Sequence, residues 1–141
     1  ITEVVTSLLK EYIQNSKRAS EQLDIRLPHG NIWILAQEKI LIRILCNLID
    51  NALKYSTGDI MFYMWGESEY CHIQISNPSD YISDEELKSI FDLFYTKDEA
   101  RTKSSGIGLY ATRKLVIQIS GDIQVNYEAG IFTVSIKLPL I

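Results

Sequence analysis

Within the stretch NLIDNALKYS, residues 47–56, Asn47 and Asn51 stand four residues apart with Lys54 three further on, which puts all three on one face of a helix. An amide oxygen is a hard, neutral ligand, suited to a Mg²⁺ that keeps most of its waters and already carries phosphate oxygens. Lys54 can meet such phosphates as a point charge. Further on, SSGIGLYATRKLV, residues 104–116, sets Gly106 and Gly108 immediately ahead of a helical run. Glycine lets backbone come close to a ligand, and the free N–H groups and positive dipole end of a helix start suit a phosphate. Each feature alone is weak, because a solvated helix face and a tight turn account for the same residues. Their conjunction says more: an amide-bearing helix, a strand ending in Asn77, the aromatic residues Phe91, Phe94 and Tyr95, a polar aperiodic segment and a glycine-led helix follow in that order.

The elements that must hold these groups are legible from periodicity. Val5, Leu8, Leu9, Tyr12 and Ile13 recur at helical spacing, which predicts an amphipathic helix over residues 2–22. Leu23, Ile25 and Leu27 alternate with charge up to Pro28, and IWILA, residues 32–36, follows a turn at 29–31; two short strands are expected, the second buried. Residues 37–55 are the strongest helix, with Leu41, Leu45, Leu48 and Ala52 on one face and Arg43, Asn47, Asp50, Asn51 and Lys54 on the other. DIMFYMWGE and EYCHIQISN, residues 59–67 and 69–77, predict an antiparallel hairpin. The S-x-x-E pattern of residues 83–86 is a capping box for a short helix carrying Leu87, Ile90 and Phe91. Residues 96–105 are polar without period and read as a loop or lid. A helix over 109–120 ended by Gly121 and two strands, 122–127 and 131–138, complete the chain. The fold class that follows is an α/β two-layer sandwich, with helices packed on one face of a mixed, mostly antiparallel sheet.

Bulk properties agree. A chain of 141 residues is about one domain, and residues 1–141 are expected to form a single unit. Its 46% hydrophobic and 23% charged content exclude a disordered chain. A net charge of −4 with scattered Lys and Arg points away from nucleic acid. No apolar run approaches the roughly 18 residues of a membrane span. Cys46 and Cys71 show neither metal spacing nor a disulfide framework, which suits a reducing cytosol.

Taken as a set, three motifs resemble one family. NLIDNALKYS is similar to the N-box of sensor histidine kinases, FDLFYT (91–96) to their F-box, and GIGLY (106–110) to their second glycine box, in the family's order. The resemblance spans nearly the whole chain and is to the ATP-binding catalytic domain, of the Bergerat fold shared with gyrase, Hsp90 and MutL ATPases. It implies ATP and Mg²⁺ as cofactors, the metal held by Asn51. It implies that Asn47, Lys54 and Tyr55 line the nucleotide site from the N-box helix, and Asn77 and Ile82 from the strand end and the turn after it. Tyr95 and Lys97 would come from the loop, and Ser105, Gly106, Ile107, Gly108 and Leu109 from the glycine box. The ATPase branches usually carry, in place of Asn47, a glutamate that activates water. An amide cannot take a proton, so phosphotransfer to a histidine is expected rather than hydrolysis.

The sequence also departs from the family pattern. The first glycine box, D-x-G-x-G, falls on Asn77-Pro78-Ser79-Asp80-Tyr81, so its aspartate and both glycines are replaced. Where the family aspartate accepts from the adenine amino group, Asn77 still accepts through its carbonyl. Trading a charged acceptor for a neutral one costs about 1 kcal/mol, several-fold in affinity. Ser79 and Tyr81 are expected to strain a backbone that glycine would permit. The altered box leaves an alternative reading, a degenerate pseudokinase module that senses nucleotide or docks partners, although some peptide-sensing histidine kinases have a similarly altered box. Thr96 stands where many relatives have an arginine, and Lys97, Arg101 or Lys103 can replace its charge. Neither His29 nor His72 has the His-Glu/Asp…Pro setting of the phosphoacceptor. The resemblance therefore implies an acceptor histidine on a dimerising helical domain, expected N-terminal to Ile1. Its further partner would be a response regulator, and its parent a homodimer in the cell membrane with this domain in the cytoplasm.

Overall fold

The computed structural model describes residues 23–92 and 105–141, with 105–108 described by backbone alone. The helix expected over 2–22 and residues 96–104 of the expected lid lie outside them. The described elements are β1 (Leu23–Arg26), α1 (Glu38–Tyr55), β2 (Ile60–Glu67), β3 (Tyr70–Pro78), α2 (Asp84–Lys88), α3 (Ser105–Gln118), β4 (Asp122–Glu128) and β5 (Ile131–Pro139). The strands form one five-stranded sheet in the order β1-β2-β3-β5-β4. β1 runs parallel to β2 and the other pairs are antiparallel.

Strict alternation sets which face is core. Phe62 lies opposite Ile75 and Ile75 opposite Val134; one step along, Met64, Ile73 and Ile136 line up the same way. All six are buried, and they meet the buried face of α1, made by Leu41, Ile44, Leu45, Leu48, Ile49 and Ala52. Burial of side chains this size contributes about 1.5–3 kcal/mol each. The intervening residues form the opposite face, where Gln74 Nε2 donates to Ser135 Oγ at 3.2 Å and Ser76 Oγ lies 3.0 Å from Thr133 Oγ1. A sheet buried on one face and more exposed on the other, with helices on the buried side, is the predicted two-layer sandwich.

Three local readings are corrected. Residues 32–36 do not make a second buried strand: Ile34 forms an isolated bridge to Leu140, and only Ile32 of the run is buried, while Trp33 and Leu35 are 66% and 87% exposed. A run apolar at every position specifies no face, and the sheet already ends at β1, so these residues pass the tip of β5 instead of joining a ladder. The helix with the glycine box begins at Ser105, not Leu109, so both glycines belong to its first turn. Its C-terminal stop is Ser120, with φ of 64°, while Gly121 N donates to Val116 O and Ser120 N to Ile117 O, both at 2.9 Å, a Schellman arrangement. Gly121 answers to space instead: a Cβ there would lie 2.7 Å from Leu138 Cδ2 and 2.9 Å from Lys137 O. The capping box of α2 forms as expected, Glu86 N donating to Ser83 Oγ at 3.1 Å and Ser83 N to Glu86 Oε1 at 3.4 Å.

Gly121→Ala destabilises the chain in urea unfolding by about 1–3 kcal/mol through overpacking, whereas Ser120→Gly, which relieves the left-handed residue, stabilises it by about 0.5–1 kcal/mol. Burial pushes the Cys71 thiol from 9.0 up to about 11. A folded value raised above the unfolded one means a stabilisation present below pH 9 and lost as pH rises from about 9 to about 11. At neutral pH, mass-spectrometric alkylation therefore finds half-buried Cys46 modified first and Cys71 protected until unfolding.

Candidate functional site

The polar end of α1 is built by the same helix that forms the core. Asn47 and Asn51 are both half-buried, one turn apart, on the flank of the buried stripe. The Asn51 Oδ1 and Tyr55 hydroxyl atoms are enclosed, and neither has a hydrogen-bond partner among the described residues. They lie on consecutive turns. A buried acceptor without a partner costs about 1–3 kcal/mol, so two on adjacent turns mark a candidate ligand site. Exposed Lys54 holds its ammonium 5.4 Å from the centroid of the Tyr55 ring.

The end of α1 is clasped to the end of β3. Ser56 N donates to Ala52 O at 2.9 Å, Ser56 Oγ donates to Gly58 O at 2.6 Å, and Thr57 N donates to Pro78 O at 2.9 Å. Gly58 lies so close that a Cβ would sit 2.9 Å from Pro78 Cγ. Asn77, next to that proline, is 3% exposed, and its Nδ2 donates to Pro78 O at 3.1 Å. The donor end of this amide is thus committed to backbone, while its oxygen accepts none of the described hydrogen bonds. The clasp through Gly58 and Pro78 was not among the predicted site residues; its signal in the sequence is the Ser-Thr-Gly that follows the helix.

The altered glycine box folds without the expected strain. Among described residues other than glycine, positive φ is confined to Ser68, Ser120 and Ala129, so Ser79 and Tyr81 hold ordinary backbone. Ser79 N donates to Gly130 O at 3.1 Å, and Tyr81, 74% exposed, sets its ring edge-on to Tyr127 at 6.2 Å. Ile82 and Leu109 are buried in the main hydrophobic cluster. Ser105, Gly106, Ile107 and Gly108 form the first turn of α3, whose N–H groups have no partner within the helix. Tyr95 and Lys97 lie outside the described residues. A cavity of about 660 Å³ lined by Gln37, Ile40, Ile119 and Leu140 lies at the other end of α1, about 20 Å from Asn51 by the helical rise. Among the described residues no helix is long and apolar enough to cross a membrane.

The family model described as "Histidine kinase-, DNA gyrase B-, and HSP90-like ATPase" matches residues 36–141. The chain belongs to this ATPase family. Its curated relatives include the sensor protein SrrB of Staphylococcus aureus, 34% identical over 145 residues, covering 99% of this chain and 25% of the relative. The sensor histidine kinase YcbM of Bacillus subtilis is 31% identical over 124 residues, covering 82% of this chain and 40% of the relative. The chain thus spans less than half the length of these curated relatives. Among solved structures, the catalytic domain of histidine kinase ThkA superposes with a TM-score of 0.79 at 20% identity, over 95% of this chain and 91% of that one. Full-length ShkA, solved in complex with AMPPNP, superposes at 0.77 with 22% identity, over 96% of this chain and 30% of that one. The sandwich is therefore the Bergerat fold, and the chain is an ATP-binding catalytic domain of the histidine kinase type.

The orphaned atoms make a prediction independent of any ligand. Asn51→Leu removes an unpartnered acceptor, and Tyr55→Phe an unpartnered hydroxyl. Each raises the nucleotide-free stability of the kinase domain by about 1 kcal/mol in urea unfolding; a loss of stability in both would mean that the two atoms have partners in solution.

Proposed function

We propose that this domain binds Mg-ATP between the polar end of α1 and the first turn of α3 and donates the γ-phosphate to a histidine carried on a separate domain, for relay to a response-regulator aspartate. The observation that carries the reading is the pair of enclosed, unpartnered oxygens, Asn51 Oδ1 and Tyr55 OH, on the helix end that is clasped beside Asn77. Their chemistry fits the ligand. Asn51 Oδ1 is a neutral hard donor for Mg²⁺, and bound Mg²⁺ would offset charge on the phosphate oxygens. Asn47 would lie one turn back toward the same phosphates, and Lys54 would add a point charge. The first-turn N–H groups of α3, kept approachable by Gly106 and Gly108, suit the phosphate chain, with Ser105 offering a hydroxyl, Ile107 part of the same turn and Leu109 closing its inner side. Asn77, its NH₂ held by Pro78, would present a carbonyl to the adenine amino group, with Ile82 behind it. Lys97 and Tyr95 are proposed to join from the loop.

Asn47 has no basic lone pair with which to activate water, which supports transfer to an imidazole over hydrolysis. The acceptor histidine would belong to a dimerisation domain of the same protein. The parent would be a homodimeric membrane sensor with this domain in the cytoplasm, and nucleic acid is no partner.

Calorimetric titration with a non-hydrolysable ATP analogue tests the proposal. Binding is expected to depend on Mg²⁺ and to weaken about ten-fold or more in Asn51→Ala. A folded domain that takes up no nucleotide at millimolar concentration would leave the module without turnover as the account.

A further inference from the structure

The F-box phenylalanine Phe91 has no part in the site as built so far. It stands just past the end of α2, where Ile90 N donates to Leu87 O at 3.4 Å and Asp92 N to Ser89 O at 2.9 Å, so its backbone is held by two successive turns. One side of its ring packs on the core, next to buried Ile90. The guanidinium of Arg113 lies over the ring, its Cζ 5.4 Å from the centroid. Arg113 is exposed, but the helix that carries it is fixed by buried Leu109, Thr112 and Val116. α2 otherwise leans on β4. The contact thus joins the segment at the foot of α2 to the helix whose first turn carries Gly106 and Gly108.

We propose that Arg113 is a positioning residue of the nucleotide site, which by stacking on Phe91 sets where the foot of α2 stands relative to the glycine-bearing turn of α3. The inference rests on the Mg-ATP reading above. It requires a cation over the ring and not merely a long side chain, because the attraction is between a charge and the ring's negative face. Arg113 touches no phosphate in this account; it acts through Phe91 and the helix.

The test uses the 141-residue chain and the analogue AMPPNP with Mg²⁺, titrated calorimetrically against wild type, Arg113→Ala, Arg113→Lys, Phe91→Leu and the Arg113→Ala/Phe91→Leu double variant. Thermal midpoints without nucleotide show that each variant folds. Arg113→Ala is expected to weaken binding by about two- to five-fold, the worth of an exposed cation–ring contact. Arg113→Lys should restore most of the affinity, and in the Phe91→Leu background the alanine change should have no further effect. A variant that lowers the midpoint but leaves affinity at the wild-type value would overturn the inference and reduce the contact to a structural clasp. Additive losses in the double variant would overturn it as well, since Arg113 would then act independently of Phe91. Absence of binding by wild type would remove the Mg-ATP reading and this inference together, whereas wild-type binding that ignores position 113 removes only the inference.

Discussion

α1 is required to be core along one stripe and to end in polar atoms that the protein does not satisfy. Leu41, Ile44, Leu45, Leu48, Ile49 and Ala52 are nearly inaccessible to water, so the helix cannot shift or rotate to relieve Asn51 without exposing them. Each of the five larger residues contributes about as much as the orphaned acceptor costs. The balance lies with the core, and the amide stays enclosed. A rigid apolar contact is thereby what holds a polar atom in an unfavourable place, which is the condition for a preformed ligand site.

The same economy governs the boundary between α1 and β3. Residues after the helix must turn back into β2 within a few positions, and Ser56, Thr57 and Gly58 accomplish this, with Thr57 N bonded to Pro78 O and Ser56 Oγ to Gly58 O. The Pro78 carbonyl, with two lone pairs, serves two donors, Thr57 N and Asn77 Nδ2. One oxygen thus locks both the helix end and the orientation of the Asn77 amide. The replaced glycine box is tolerated for a related reason: backbone at Ser79 and Tyr81 stays in ordinary regions, with Ser79 tied to Gly130 across the β4–β5 turn.

The fold separates two ends. The unpartnered oxygens and the clasp lie where α1 ends, while a cavity of about 660 Å³ lies where α1 begins and α3 ends. Antiparallel traffic of the strands produces this, since the β2–β3 and β4–β5 turns fall at opposite ends of the sheet.

Much of this was legible from the residues alone. The extents of β2 through β5 and the core stripe of α1 were readable, because strand-forming runs between turns and three- and four-residue spacing are local patterns of the backbone. The capping box of α2 was equally readable, being a bond between neighbours in sequence. The asparagines of α1 were visible as an anomaly, and the motif set pointed to the histidine kinase family that the comparisons bear out. What the tertiary structure alone decided is of another kind. Residues 32–36 carry strand-like composition but find no strand to pair with, and pairing is a property of the partner. Gly121 was read as a helix stop, yet the left-handed residue is Ser120, and glycine is demanded by Leu138, seventeen positions away in sequence and 2.7 Å away in space. That Asn51 Oδ1 lacks a partner, that Pro78 binds the end of α1, and that Arg113 reaches Phe91 depend on which surfaces meet, and no local pattern carries that information.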